Sequence, residues 1–464
     1  MASTAKEARE IMTVIESFSA WAAGLEAPEP ARAAARRCLV DTLGGTIAGG
    51  IEAPATLLAL ALPGEGPARL IPEGTRDART AALINGTAAH TVEVDDIYSP
   101  GLYHPGVCVI PAALAMGEAL GASGAALLDA IAAGYEVSNR IARTVNPAHY
   151  QHWHTTATIG HFGAAVAACR VADLTASQMT HAMANAATMA AGLRHAFSSD
   201  AMTKPLHAGR AAEAGVLCAL SARAGVTGVS DILEGARGLG LAMSDGPDWA
   251  GATATLGEEW TIQRMTVKAH ACCGHNFATL DGIKAIMTAH GLSAAQIARI
   301  RTGVYRASAE ICGNPDPVTP AEARFSLPYC AGVMALRGAI TPADFSDAAL
   351  NDPRIREIAA KVEIAIDPEA ETAFPALRPA TVDIRTVDGS VFHHHQFTRK
   401  GDPDAALSDA EIAAKFHALA APVIGPDGAQ ALVSAIDRLD QLADIRALPL
   451  GGSECPAPQA QSIA

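Results

Sequence analysis

Apolar residues recur at helical spacing through most of the first 270 residues, with polar positions on the opposite face. The pattern predicts helices at 4–23, 29–47 and 81–90, then at 107–120, 125–144, 156–171, 177–193 and 207–224. The connections GASG (121–124) and GVTG (225–228) supply glycines that stop one helix before the next begins. Between the helices at 81–90 and 107–120 the periodicity fails over VEVDDIYSPGLYHPG (92–106). An array of this kind leaves its chemistry to the loops.

After Trp260 the texture changes. Runs at 298–307, 362–366 and 381–386 alternate or are rich in β-branched residues, which predicts strands. Val387-Asp388-Gly389 is a hairpin turn signal between two such runs. Helices are predicted at 277–290 and 323–336, and again from 409 to about 443. The fold class is therefore mainly α with a smaller α+β part. Its expected divisions are a helical part over 1–266, a mixed part over 267–398 and a returning helical part over 399–464, with GGSECPAPQAQSIA frayed at the end. No internal repeat stands out.

Composition narrows the class of protein. Half of the 464 residues are hydrophobic but only 4% are aromatic, so alanine makes up the difference and favours close helix packing. Charged residues at 18% do not describe a disordered chain. Lys+Arg 34 against Asp+Glu 48 gives a net charge of −14, which argues against a nucleic-acid or anionic-membrane partner but leaves room for a local cationic pocket. Nine scattered cysteines and an N-terminus unlike a signal peptide lead to the expectation of a reducing, cytoplasmic setting. The stretch 174–193 is uncharged and long enough to span a bilayer, yet Gln178, His181 and Asn185 mark it as a buried helix.

Five stretches can carry chemistry. His90, Glu93, Asp95 and Asp96, followed by His104-Pro105-Gly106, form either an acid/base and cation-pairing cluster or a solvated acidic loop. His149, His152 and His154 read as loop histidines, as one catalytic histidine or as metal ligands, although no zinc-type carboxylate or cysteine spacing accompanies them. Lys204 precedes Pro205 at a helix start, where the dipole depresses a lysine pKa and free N–H groups attract a carboxylate. Lys268, Cys272, Cys273 and His275 lie at the change of texture, where clefts form. Arg324-Phe-Ser-Leu-Pro-Tyr329 alone reads as core, and His393-His394-His395 as an edge-strand feature. Gly238-Leu-Gly240 lacks the third glycine of a dinucleotide site and no phosphate loop occurs, so neither cofactor nor metal is expected.

Taken in order, these stretches resemble the MmgE/PrpD family over about residues 10–440. The resemblance is carried by Asp41-Thr-Leu-Gly44, Leu83-Ile-Asn85-Gly86 with His90 and Asp95-Asp96, and His104-Pro105. Gly134-Tyr135-Glu136-Val137 with Arg140, His154 with Gly160, Lys204 with His207-Ala-Gly209, Ile232-Leu-Glu234-Gly235, Lys268 with Cys273, and Phe325-Ser-Leu-Pro-Tyr329 complete it. It implies a large all-helical domain built from both chain ends, an α+β lid, and a cofactor-free homodimer acting on a small di- or tricarboxylate. It further implies catalytic roles for His104, His154, Lys204, Lys268, Tyr329 and Asp96. Glu93, Asp95, Lys204, Lys268 and His275 are expected to bind substrate.

That family includes dehydratases, decarboxylases and epimerases, which share a carbanion next to a carboxylate. Lys204 and Lys268 are expected to clamp carboxylates, with His104, His154 and Tyr329 moving protons and Asp96 orienting one of these groups. Family decarboxylases carry aspartate and threonine where this chain has Glu93 and Ile97, and the loop to His104 is one residue longer. On those departures an epimerase of an imino- or amino-dicarboxylate is expected ahead of a lyase. The rivals are a metallohydrolase using His149, His152 and His154, and an inactive helical binding protein.

Overall fold

Side-chain caps set most helix starts. In the computed structural model, which describes residues 12–197 and 201–451, α1 (Val14–Ala22) begins at Thr13 in a reciprocal capping box with Glu16. Residues 4–11 of the helix predicted at 4–23 and nearly all of the segment 451–464 lie outside the described residues. There follow α2 (Glu29–Gly50), α3 (Ala55–Ala61), α4 (Ala78–Ala89, capped by Asp77), α5 (Gly106–Leu120) and α6 (Gly124–Val145, capped by Ser123). Next come α7 (Thr155–Val171), α8 (Ala176–Met189, boxed by Thr175 and Gln178) and α9 (Thr203–Arg223). Gly121 ends α5 at φ 67 and Gly225 follows α9 at φ 94, a left-handed turn that glycine enters without penalty.

The helix predicted at 177–193 stops at Met189, because Leu193 leaves it to bridge Trp153. Within α8, Met179, Ala182, Met183 and Ala186 are buried among the other helices, as expected of a core helix. Small residues let the helices approach closely. A Cβ on Gly86 of α4 would stand 2.9 Å from the Cα of Gly209 in α9, and one on Gly215 would stand 2.4 Å from the Ala164 Cβ in α7.

The strands form two sheets. Ala68–Arg69 (β1) and Thr75–Arg76 (β2) make a small ladder between α3 and α4. Ile297–Val304 (β3), Val362–Ile366 (β4), Ala380–Thr386 (β5) and Val391–Gln396 (β6) form a four-stranded sheet in the order β4-β3-β5-β6. The pair β3–β4 is parallel with Ile300 opposite Val362, while β3–β5 and β5–β6 are antiparallel. The β5–β6 hairpin turns at Asp388-Gly389, and β6 with His393–His395 forms an edge. The strand predicted at 298–307 ends at Val304 because a helix starts at Arg306. The helix predicted at 323–336 is split, since Ser326 caps a new start at Leu327.

The helix Asp409–Ile436 returns to pack on α2, with Phe416 and Leu419 against Gly44. Taken singly, it is the one helix among the described residues long and apolar enough to cross a membrane, but Gly425 breaks it at φ 78 between Pro422 and Pro426. Apolar clusters fill the helical array, and a separate one joins the sheet to the helix Phe277–His290. Val92 and Val94 belong to the sheet's cluster. The loop after α4 therefore runs along the seam between the two.

The close approach at Gly209 yields a stability test. A Cβ there would meet the Leu83 carbonyl oxygen at 2.1 Å and Thr87 Oγ1 at 2.2 Å, so backbone must move. Alanine gains about 1 kcal/mol of helix propensity over glycine, whereas forced overpacking costs about 1–3 kcal/mol. Gly209→Ala should therefore lower the thermal unfolding midpoint, and a midpoint at or above that of the parent would contradict the packing.

Candidate active site

The acidic loop leaves α4 at His90 and alternates. Val92 and Val94 enter the apolar cluster, while Glu93 and Asp95 turn the other way toward Lys268. Glu93 holds φ at 58°, a conformation costing on the order of 1 kcal/mol or more for a residue with a Cβ and often found at functional sites. Lys415, from the returning helix, donates to the Val94 carbonyl at 2.6 Å and to Asp41 Oδ1 at 2.5 Å. The far end of the loop is tied by paired 2.8 Å backbone bonds between Ile97 and Thr266.

Two lysines meet on one carboxylate. Lys204, in the first turn of α9, bonds Glu93 Oε1, and Lys268 Nζ lies 3.3 Å from Glu93 Oε2. Lys268, only 2% exposed, also donates to the Glu93 carbonyl at 3.1 Å and faces Asp95 Oδ1 at 3.5 Å. Burial alone would raise both acids. Lys204 and Lys268 nevertheless hold Glu93 well below the usual carboxylate range, and Lys268 with His90 and His104 does the same for Asp95. The same pairs hold Lys268 above its ordinary value against the opposing effect of burial. Glu93 also attracts Arg324, whose Nε is buried without a hydrogen-bond partner.

Asp95 fixes two histidines. Its Oδ2 receives His90 Nδ1 at 2.9 Å and His104 Nδ1 at 2.6 Å, and His104 Nδ1 also lies 2.8 Å from the Asp96 carbonyl oxygen. Both neighbours of His104 Nδ1 are acceptors, so that nitrogen carries a proton and Nε2 remains for proton transfer. Burial, partly offset by Asp95, lowers His90 to about 4 and keeps it neutral. His154 stacks on His90 with centroids 5.7 Å apart, and its Nδ1 lies 3.2 Å from His207 Nδ1. Burial, with the neighbouring histidines and Lys204, pushes His154 well below the ordinary histidine range.

Asp96 is close by but plays a different part from the one expected. Its carboxyl accepts from Tyr135 at 2.7 Å and from the Gly106 N–H at 3.1 Å, so it caps α5, and Asp95 is the acid that orients the histidines. Tyr329 is not brought to the cluster. It is fully buried and donates to the Asp344 carbonyl at 2.7 Å. His275 lies on a neighbouring wall, with Nδ1 2.5 Å from the Tyr305 hydroxyl. The metal-ligand trio does not converge, because His149 spends both ring nitrogens on Met243 O at 2.9 Å and Thr158 Oγ1 at 2.7 Å while His152 is exposed. His90, Asp95 and His104 do place donor atoms within 4.8 Å of one another, but the Lys268 ammonium beside Asp95 opposes a second cation there. Burial pushes the Cys272 thiol well up, which leaves it a poor nucleophile.

Four participants escaped the residue-by-residue expectation: His90, His207, Arg324 and Lys415. The first three sit inside motifs already singled out, whereas Lys415 stands 321 positions from its partner Val94 with no local signal.

Comparison with known proteins adds to this geometry. The sequence pattern of the MmgE/PrpD N-terminal domain matches residues 16–252, and that of the MmgE/PrpD C-terminal domain matches residues 270–441. A cis-aconitate decarboxylase of Homo sapiens is 28% identical over 381 residues, which covers 79% of this chain and 78% of that protein. The corresponding enzyme of Aspergillus terreus is 27% identical over 392 residues, covering 79% and 80%. Decarboxylases are carbon–carbon lyases, so these relatives overturn the expectation of an isomerase. The departure at Glu93 that suggested one still puts a carboxylate on both lysines; it lengthens the side chain without altering the charge.

Asp96 provides a pH test. Burial, reinforced by Asp41 and Asp95 and opposed by the Tyr135 hydrogen bond, raises it from 3.8 to about 7. The folded protein holds this proton more tightly than the unfolded chain does. Its contribution to stability is therefore complete below about pH 4 and is lost as pH rises through about 7. Glu93 and Asp95 act oppositely and lose their contribution only in acid. Between about pH 5 and 8, the unfolding midpoint of Asp96→Asn should fall less than that of the parent, and parallel curves would refute the assignment.

Proposed function

The chain belongs to the MmgE/PrpD family, and from that premise we propose a lyase that acts on a small polycarboxylate by side-chain acid–base chemistry. Its proposed reaction is decarboxylation of a cis-aconitate-like tricarboxylate. The observation that carries this reading is the buried cluster in which Lys204 and Lys268 share Glu93 while Asp95 holds the Nδ1 protons of His90 and His104. Its relatives named cis-aconitate decarboxylase support the choice of reaction.

In the proposed reaction a carbon–carboxylate bond breaks and CO2 leaves. The electron pair stays on carbon, delocalised toward a neighbouring carboxylate, and a proton completes the product. One proton is taken up for each CO2 released. Lys204 and Lys268 stabilise the developing charge, and fixed cations in a site poor in water do so without reorganising. His104, anchored through Nδ1, delivers the proton from Nε2, and the Asp95 carboxylate stabilises the imidazolium that precedes delivery. His154 and His207 form a second proton-holding pair across His90. Tyr329 is assigned no step in this scheme, its hydroxyl donating to the Asp344 carbonyl.

Incubation of the purified protein with cis-aconitate should release CO2 and give an unsaturated dicarboxylate, followed by proton NMR and headspace analysis. Loss of one general acid typically costs about 10²–10⁴-fold in kcat, so His104→Asn should fall in that range while keeping a cooperative unfolding transition. Water release from a hydroxy-tricarboxylate without CO2 would replace decarboxylation by dehydration. No turnover of any polycarboxylate would overturn the lyase reading itself.

A further inference from the structure

We propose that Arg378, with Arg399 and Arg194 beside it, forms a second anion subsite that holds a carboxylate of the substrate remote from the two lysines. The inference rests on the lyase reading and says which residues hold the carboxylate of that tricarboxylate that the lysines do not reach.

Charge accounting provides the first reason. The central cluster contains two ammonium groups, Lys204 and Lys268, and two carboxylates, Glu93 and Asp95, in direct contact with them. Their formal charges cancel, so an incoming polyanion meets little net attraction from the four taken together. Further cations must supply it, and they lie along the wall that carries His275.

The geometry of that wall provides the second reason. Arg399 is 3% exposed, donates Nη1 to the Gly274 carbonyl at 3.2 Å and pairs with Asp402 at 2.6 Å. Next to Gly274, His275 bonds Tyr305, whose ring stacks on Phe374 with centroids 4.4 Å apart. The Arg378 guanidinium lies 6.0 Å from the Phe374 ring. Its Nε is buried without a hydrogen-bond partner, and no carboxylate among the described residues forms a salt bridge with it. Arg194 covers the Tyr150 ring at 4.6 Å and donates to the Tyr150 carbonyl at 3.2 Å. Among the described residues, Asp402 is the one carboxylate that forms a salt bridge with any of the three guanidinium groups.

Electrostatics tie the three together and to the cluster. Burial lowers His275 to about 3, and Arg378, Arg399 and Arg194 all add to the effect, so all three act on one point. Burial raises Tyr150 above its ordinary value, with Arg194 and Arg378 opposing and Cys273 and Glu93 adding to the effect, so charges of this wall and of the lysine site act on the same ring. A planar guanidinium with an unused N–H suits a carboxylate, which it binds through paired hydrogen bonds.

Calorimetric titration separates the possibilities, with tricarballylate as an unreactive tricarboxylate, malonate as a dicarboxylate short enough for one subsite, and inorganic phosphate as a free anion. Arg378→Gln should weaken tricarballylate binding at least about tenfold, the cost of one charged hydrogen-bonding partner, and leave malonate within twofold. Lys268→Ala should weaken both. Arg378→Lys should recover part of the loss and exclude misfolding as its cause. With cis-aconitate, Arg378→Gln should raise KM far more than it lowers kcat, the signature of uniform binding. Unchanged tricarballylate binding in Arg378→Gln overturns the subsite alone, as does a loss confined to phosphate. A parent protein that binds neither carboxylate overturns both the subsite and the lyase reading.

Discussion

Two carboxylates buried against two ammonium groups are the constraint on which the rest of this structure depends. Glu93 and Asp95 come from the loop after α4, Lys204 from the start of α9, and Lys268 from the segment before the sheet. Glu93, Asp95 and Lys268 are not tolerable at such depth without their partners, and the half-buried Lys204 closes the cluster at its edge. Removing one partner of a buried ion pair typically costs about 3–5 kcal/mol, because the remaining charge stays uncompensated. That penalty holds three distant parts of the chain in one place. It also explains why Glu93 can keep a left-handed backbone: two cations on its carboxylate outweigh a strain of about 1–3 kcal/mol. Lys415 fastens the same loop from below through Val94 and Asp41.

Positioning such a cluster needs a scaffold that does not yield, and here the alanine-rich composition acquires a purpose. Glycines at 86, 209 and 215 bring α4, α9 and α7 to backbone contact. Lys204 therefore projects from a helix whose distance from the acidic loop is fixed by atoms that cannot be compressed. On the other side, Val92 and Val94 tie the loop to the sheet's cluster. Alternation along four residues thus couples packing to chemistry, with apolar side chains entering the core and acids entering the site.

What was legible in the sequence follows from how local each cause is. The turn at Asp388-Gly389 and the glycine after α5 act over a few residues, and the corresponding elements lie where the pattern put them, whereas the helix predicted from 81 starts at Ala78 because Asp77 caps it. Element ends set by tertiary contacts do not follow the pattern. The helix at 177–193 overruns because Trp153 captures Leu193, and the strand at 298–307 overruns because the chain turns at Tyr305. Glu93, Lys204 and Lys268 were recognisable as charges that required partners, although their pairing is a property of the fold. Lys415 on its amphipathic helix looks like any solvated lysine. Tyr329, whose motif alone reads as core and to which the resemblance lent a catalytic role, lies in apolar surroundings with its hydroxyl on the Asp344 carbonyl.

The departure at Glu93 shows why residue identity at a site is a weaker guide than charge topology. The expectation of an epimerase treated glutamate in place of aspartate as a change in chemistry. In the folded chain the longer side chain places one oxygen on each lysine, so the arrangement of charges is kept and only its reach is altered. The other departure, Ile97, joins the Thr266 backbone through its own backbone, which constrains the loop whatever the side chain. A substitution redirects a reaction when it moves a proton donor or changes the sign of charge beside the reacting carbon. Neither residue does so here, whereas Asp95, which sets the tautomers of His90 and His104, is positioned to. The same reasoning limits what a net charge of −14 says: a polyanion responds to local cations, here the two lysines of the cluster and, in the proposed subsite, Arg378.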